Sequence, residues 1–286
     1  MFLLFGQALP LSKSPHIHTL TFVFHSPKTK KMAAYALLMG CNYFGDLRIN
    51  NLEGCENDVR RITDIALDKG YDVNILLGAD MTRENVLKEL RATIAKLKIG
   101  DTLLLQRSSH GTQVNFDFNN DEADQTDEAF ITRFGDIVLD DEWSNELQKI
   151  PSGVFVFVID DLCFAGGMSR SLTVANRAVR RADAMDWYRH NDRRIPKPDI
   201  RNMKATFLWF AACQENQTAL DGSENGLFTE AILKCLPQST TYRQLASRVI
   251  AFVKLHSEGT QTPKINLIGY PSKKDLFLNL KPFMPL

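Results

Sequence analysis

An α/β fold, with a mostly parallel central β-sheet covered by helices on both faces, is what this sequence predicts. Three observations carry that expectation. Strand-length apolar runs lack the inside–outside alternation of a half-exposed sheet, as strands buried on both faces do. Segments with apolar residues at three-to-four spacing lie between those runs. The two kinds follow one another regularly along the chain, the pattern of a parallel sheet with crossover helices.

Taken in order, Tyr35–Met39 is a short apolar run that ends in Gly40-Cys41-Asn42, a buried strand leading into a loop. From Asn57 to Lys69, Val59, Ile62, Ile65 and Ala66 fall on one helical face, and Gly70 stops the helix. Val73–Leu77 is a second strand. Thr82 caps a helix that runs to Leu97 with Val86, Leu90 and Ile94 on one face, and Gly100 ends it. Thr102–Gln106 is a third strand, running into Ser108-Ser109-His110-Gly111. The acidic stretch from Asn115 to Glu128 reads as a loop, and Asp140 reads as the cap of a helix to Lys149. Val154–Ile159 is the strongest strand signal, and it ends at Asp160-Asp161-Leu162-Cys163. Residues 167–204 lack periodicity and are rich in arginine. Beyond them come a buried strand (Ala205–Ala212), helices at Gly226–Leu236 and Tyr242–Leu255, and a last short strand (Ile265–Ile268).

This order implies one α/β domain over residues 34–286, with a larger part at about 34–166, a basic linker at about 167–204 and a smaller part at about 205–286. Residues 1–33 read as an N-terminal extension without stable order. Its apolar patches are too short to span a bilayer, and Met32 is a plausible alternative start.

Bulk composition narrows the function. Lysine plus arginine equals aspartate plus glutamate at 34 each, which argues against nucleic acid as a partner, since such proteins carry a basic excess. Neither a Walker A loop nor G-x-G-x-x-G is present. The five cysteines form no C-x-x-C pair, so a zinc ribbon or redox dithiol is not supported. Few cysteines in a chain of this length suit a reducing, cytoplasmic setting, and with no segment approaching transmembrane length no membrane partner is expected.

Two polar groups stand where doubly wound sheets bind ligands, beyond the carboxyl ends of strands. His110 follows the third strand and Cys163 the fourth. If these strands are neighbours, imidazole and thiol meet across one edge of the sheet, and a base that holds the cysteine as thiolate makes a strong nucleophile. Gly111 beside the histidine, and Gly166-Gly167 after the cysteine, allow backbone N–H groups to approach a developing oxyanion. A lone cysteine at a strand end is usually packing, and a lone histidine usually a satisfied surface group. Together, at matching strand ends and flanked by glycines, they favour a Cys163–His110 dyad. No G-x-C-x-G elbow surrounds Cys163, which disfavours another α/β hydrolase.

An ordered series of segments then resembles the metacaspases, type I in particular, within the caspase-like cysteine peptidases. It comprises residues 36–43 (Ala-Leu-Leu-Met-Gly-Cys-Asn-Tyr), 52–58 (Leu-Glu-Gly-Cys-Glu-Asn-Asp) and 108–113 (Ser-Ser-His-Gly-Thr-Gln). It continues with Asp127-Glu128, Asp161-Leu162-Cys163-Phe164-Ala165-Gly166, Ala211-Ala212-Cys213-Gln214, Gly226-Leu227-Phe228-Thr229 and Gln261-Thr262-Pro263. In caspases the histidine lies roughly 50 residues before the cysteine, as here, although their Q-A-C-[RQG]-G signature is absent. The resemblance implies a caspase-like three-layer sandwich. It implies a monomeric cysteine endopeptidase that cuts protein or peptide substrates after arginine or lysine, with an acidic pocket of Asp58 and Asp161 lined by Cys55 and Ser108. A carboxylate pair suits a planar, permanently charged guanidinium. Gly111 is the oxyanion candidate. The bond-breaking itself needs no cofactor. Calcium is implied as an activator on Asp127, Asp140 and Asp141, the fourth family position being Arg170 here. The arginines of the basic linker are candidate self-cleavage sites.

The chain departs from the family beside both catalytic positions. Asp161-Leu162-Cys163-Phe164-Ala165-Gly166 replaces the common Asp-Ser-Cys-His-Ser-Gly, and Arg107-Ser108-Ser109 replaces Tyr-Ser-Gly. Leu162 and Phe164 make the nucleophile's surroundings more apolar, which raises a thiol's pKa. Arg107 is expected either to offset this or to compete for the acidic pocket. These departures motivate the alternative of a weak or inactive caspase-like scaffold that acts by binding partners.

Overall fold

The computed structural model describes residues 32–114, 127–162, 178–180, 198–214, 217–269 and 274–286. The N-terminal residues 1–33 of the sequence reading lie outside it except for Met32 and Ala33. The sheet has six strands, β1 (Ala34–Gly40), β2 (Asp72–Leu77), β3 (Thr102–Ser108), β7 (Phe155–Asp161), β9 (Thr206–Ala211) and β10 (Lys264–Ile268), in the order β10-β9-β7-β3-β1-β2. All neighbours run parallel except β10, which is antiparallel to β9. Each strand of the sequence reading is present.

Alternation along these strands divides the interior into two cores. Leu37, Met39, Leu103, Leu105, Val156 and Val158 face one way and pack with helices α2 (Arg83–Lys96) and α3 (Asp140–Leu147). Ala36, Leu38, Leu104, Phe157, Ile159 and Leu208 face the other way. There they meet α1 (Cys55–Asp68), α4 (Leu227–Cys235) and α5 (Tyr242–His256). The result is a three-layer α/β sandwich. Among the described residues, no helix is long and apolar enough to cross a membrane.

Local chemistry sets the helix ends. Thr82 and Thr241 each accept a hydrogen bond from the backbone N–H three residues on, at 3.2 Å, capping α2 and α5. Gly70 takes φ +81°, the left-handed turn that releases α1 toward β2.

Several boundaries differ from the sequence reading. Helix α1 starts at Cys55, because Gly54 takes the N-cap position. Asp140 is the first helical residue of α3 rather than its cap; Leu139 holds that place and makes no side-chain capping bond. The stretch read as a loop to Glu128 ends instead in a strand, β5 (Asp127–Ile131). It pairs antiparallel with β4 (Gly111–Val114) and β6 (Ile137–Leu139), while β8 (Ala178–Arg180), inside the basic stretch, pairs parallel with β4. This second sheet, in the order β6-β5-β4-β8, escaped the sequence because its strands are short and two begin or lie in polar segments. Only pairing with distant partners makes them strands.

Helix α1 lies so close to β1 that a side chain at Gly40 has no room. A Cβ there would sit 2.6 Å from the Cys55 carbonyl oxygen and 2.8 Å from Val59 Cγ2. We therefore expect Gly40→Ala to displace the start of α1 and destabilise the fold by about 1–3 kcal/mol. Urea unfolding followed by far-ultraviolet circular dichroism measures this, and an unchanged midpoint would contradict the tight contact.

Candidate active site

The site is assembled from the register of two adjacent strands. β3 and β7 pair in parallel with Arg107 opposite Asp160 and Ser108 opposite Asp161. His110 and Cys163 therefore each follow, by two residues along the chain, one member of the last pair. The strands are neighbours, as the dyad requires. Cys163 itself lies outside the described residues.

His110 is almost completely buried. Its ring sits 4.9 Å from that of Phe44, and the chain on either side is tied to β5. The Ser109 hydroxyl donates to the Ile131 carbonyl at 2.6 Å, and the Ile131 N–H donates to the His110 carbonyl at 2.9 Å. Nε2 lies 2.7 Å from the carbonyl oxygen of Asn50. A carbonyl can only accept, so the proton is assigned to Nε2, and Nδ1 becomes the basic nitrogen of the ring. Asn50 belongs to the loop after β1, which Asn42 holds in shape. Its amide donates to the Glu53 carbonyl at 2.7 Å, and its side-chain oxygen accepts from the Glu56 N–H at 3.0 Å. The Asn of the Gly40-Cys41-Asn42 motif thus acts indirectly, by holding the loop that orients the histidine. Gly111 opens β4, with Phe130 and Ala178 as its register partners on the two sides.

The four predicted pocket residues converge on one face. Cys55 opens α1 and Asp58 sits in its first turn, both fully buried. The Ser108 hydroxyl donates to Asp58 Oδ2 at 2.6 Å, while the Asn225 amide and the Gly226 N–H reach Asp58 Oδ1 at 2.9 and 3.0 Å. Asp161, on the strand beside Ser108, accepts from the Thr229 N–H at 3.1 Å and the Thr229 hydroxyl at 2.7 Å. Both carboxylates thereby gather at the N-terminal end of α4, where backbone N–H groups and the helix dipole favour negative charge. Nothing local in the sequence marks Asn225, Gly226 or Thr229 for this role. The Gly226-Leu227-Phe228-Thr229 segment is legible only as a motif, and no local pattern says which carboxylate such a helix end meets.

Arg107 faces the opposite way from Ser108, and of its two expected roles the structure excludes competition for the acidic pocket. Instead of competing for the acidic pocket, it pairs with Asp160: Nε to Oδ1 at 2.8 Å and Nη2 to Oδ2 at 2.7 Å, both side chains being under 5% exposed. The Trp209 indole N–H adds a bond to the same carboxylate at 2.6 Å. The guanidinium also lies over Trp143 and Phe130, at 4.6 and 4.8 Å from their centroids. Leu162 turns into the apolar core, and Phe164 lies outside the described residues.

The other thiols are poor nucleophile candidates. Cys41, Cys55, Cys213 and Cys235 are buried. Burial pushes Cys41 up to about 12 against the pull of Arg133, and it raises Cys235 as well. Of the calcium candidates, Asp140 and Asp141 stand side by side at the start of α3, Asp140 half-buried and Asp141 buried. Asp127 starts β5, and its side chain lies outside the described residues. Oxygen donors of this kind suit a hard cation, yet among the described residues no three metal-binding side chains converge.

Comparison with known proteins places these features in context. A family model described as the caspase domain matches residues 33–268. Metacaspase-7 of Arabidopsis thaliana is 30% identical over 146 residues, covering 48% of this chain and 36% of that protein. Metacaspase-1 of Mycosarcoma maydis is 25% identical over 295 residues, covering 84% of this chain and 71% of that protein. The crystal structure of a Geobacter sulfurreducens protein, 30% identical, superposes with a TM-score of 0.77 over 89% of this chain and 99% of its own. The alignment spans 34–39% of the Arabidopsis relatives.

The buried pair yields a stability test. Arg107→Leu, which strands Asp160 in the interior, should cost roughly 3–5 kcal/mol, whereas the double replacement Arg107→Leu/Asp160→Leu should cost less than the single one. Chemical denaturation of the four proteins of the cycle decides it. A double variant that loses as much as the two single variants together would show that the pair is not coupled.

Proposed function

The chain belongs to the caspase-domain family, and on that premise we propose that it is a cysteine endopeptidase in which Cys163 is the nucleophile and His110 the general base. The observation that carries this reading is the orientation of His110, whose Nε2 is held by the Asn50 carbonyl at 2.7 Å. That leaves Nδ1 as the basic nitrogen. In the proposed reaction Nδ1 takes the thiol proton, and the thiolate attacks the scissile carbonyl. The backbone N–H of Gly111 helps to receive the oxyanion. Collapse expels the amine, protonated from His110, and leaves a thioester that water, activated by the same imidazole, hydrolyses.

We assign specificity for arginine or lysine to Asp58 and Asp161, with Cys55 and Ser108 completing the pocket. Support comes from the gathering of two carboxylates on one face beside the strand ends and from the geometric match of a carboxylate to a guanidinium. Calcium, if it acts, would bind Asp127, Asp140 and Asp141, and would supply charge compensation for those carboxylates. We further propose a monomer in a reducing cytoplasm, where thiols stay reduced. One observation favours a second reading. Asp58 and Asp161 are both wholly buried, which suits a scaffold that uses them only to anchor α4 and acts through partner binding.

Fluorogenic peptides ending in arginine, lysine or aspartate separate the two. Across a calcium titration, the arginine and lysine peptides should be cleaved and the aspartate peptide not. Cys163→Ala should abolish turnover, and His110→Ala should lower it by about 10²–10⁴-fold. Absence of any Cys163-dependent turnover, with and without calcium, would favour the scaffold. Preference for aspartate would remove Asp58 and Asp161 as the specificity pocket.

The basic stretch between Gly167 and Lys204 includes Arg170, Arg177, Arg180, Arg181, Arg193 and Arg194, and we propose that the enzyme cuts itself there. Purified protein should resolve on a denaturing gel into two fragments that Cys163→Ala does not produce. Fragments that persist in that variant would mean cleavage by another protease.

A further inference from the structure

The loop between β1 and α1 holds the His110 ring at two points. The Asn50 carbonyl accepts from Nε2 at 2.7 Å. Phe44, which is fully buried, lies against the imidazole with ring centroids 4.9 Å apart. Bonds within the loop, from the Leu52 N–H to the Asn42 carbonyl and from the Ile49 N–H to the Asp46 carbonyl, fold it on itself. They do not join it to β5, which holds the main chain around His110 through Ile131. A ring gripped by two separate elements keeps its place only if those elements are fixed to each other.

Arg133 makes that connection. It lies in the tight turn after β5, which the Thr132 N–H closes onto the Asp136 carbonyl at 2.7 Å. Its own N–H donates to the Met81 carbonyl at 2.8 Å. Its Nη1 donates to the Tyr43 carbonyl, the oxygen of the peptide that leads into Phe44. The guanidinium lies 4.4 Å from the centroid of the Tyr43 ring and 5.1 Å from that of Phe134, so hydrogen bond and cation–π contact act on one residue of the loop. Phe134 keeps a φ of +66°, a region that non-glycine residues seldom occupy unless their surroundings impose it. In the facing loop Gly45 takes φ +69°, and a Cβ there would stand 3.5 Å from Phe134 Cδ1 and 3.8 Å from Arg133 Cζ. The two turns therefore run close together. We propose that Arg133 is a positioning residue for His110: it locks the β1–α1 loop to the turn after β5, and so fixes the imidazole against Asn50 and Phe44. Its part in catalysis rests on the reading of His110 as the general base.

One test needs no activity. In full-length ¹⁵N-labelled Cys163→Ala protein, the Nε2–H of His110 should give a ring N–H resonance in slow exchange with water, identified by its loss on further replacement His110→Gln. Arg133→Leu should speed that exchange by about ten-fold or more, the weight of a charge-assisted hydrogen bond. Tyr43→Leu, at a position 52% exposed, removes only the ring and should speed it by about two- to five-fold. In the active protein, Arg133→Leu should lower kcat for an arginine peptide by about ten- to hundred-fold. KM should stay nearly unchanged, because Asp58 and Asp161 are anchored separately, to α4, and Arg133→Lys should recover most of the loss. Unaltered exchange in Arg133→Leu, or in Tyr43→Leu where the former does not fold, overturns the positioning role whatever the kinetics. So does a His110 ring proton that exchanges fast before either replacement, or a kinetic loss that falls on KM alone. A chain without Cys163-dependent turnover ends the peptidase reading and leaves the exchange measurement to decide whether Arg133 locks the loop.

Discussion

The parallel register between β3 and β7 is the constraint on which the rest of the site depends. Because successive side chains point to opposite faces of a sheet, pairing Arg107 with Asp160 and Ser108 with Asp161 sends one polar pair to each side. Arg107 and Asp160 go to the face of α3, where aromatic rings cover them. Ser108 and Asp161 go to the face of α1 and α4. A slip of one residue in either strand would oppose unlike partners and bury a charge without compensation, so the same pairing that positions the site also enforces its own alignment.

On the α4 side, the arrangement solves a problem that two buried carboxylates would otherwise create. Charges removed from water need hydrogen bonds, and the N-terminal end of α4 offers N–H groups that no intrahelical partner uses. Gly226 and Thr229 supply them, with Asn225 and the Thr229 hydroxyl alongside. The helix is thereby anchored to α1 through Asp58 and to the sheet through Asp161. A specificity role for these carboxylates would draw on groups that the fold already needs, which is why burial alone does not separate a peptidase from a scaffold.

His110 illustrates how little of a catalytic group's setting lies in its own segment. Its orientation comes from a backbone carbonyl at Asn50, in a loop shaped by Asn42, and from two bonds to Ile131 of the second sheet. Two stretches of chain besides its own, the loop after β1 and strand β5, converge to fix one ring. In the same way Arg107, a departure from the family pattern beside the histidine, is accommodated by Asp160, Trp209 and Trp143, none of which adjoins it in sequence.

The sequence by itself determined the α/β class, all six strands of the main sheet, five helices to within a few residues, and the candidate pair His110 and Cys163. Those features are carried by periodicity, by glycine and threonine at helix ends, and by polar residues at strand ends, all of which are local along the chain. The tertiary structure alone decided the second sheet from β4 to β8, the start of α3 at Asp140 without a side-chain cap, the partner of Arg107, and the tautomer of His110. Each of these depends on which distant residue arrives opposite, and register and packing settle that only after the chain has closed on itself. Asp160 and Asp161 make the point most simply. Adjacent and chemically identical in sequence, they part to opposite faces of the sheet, one to hold an arginine and the other a helix end.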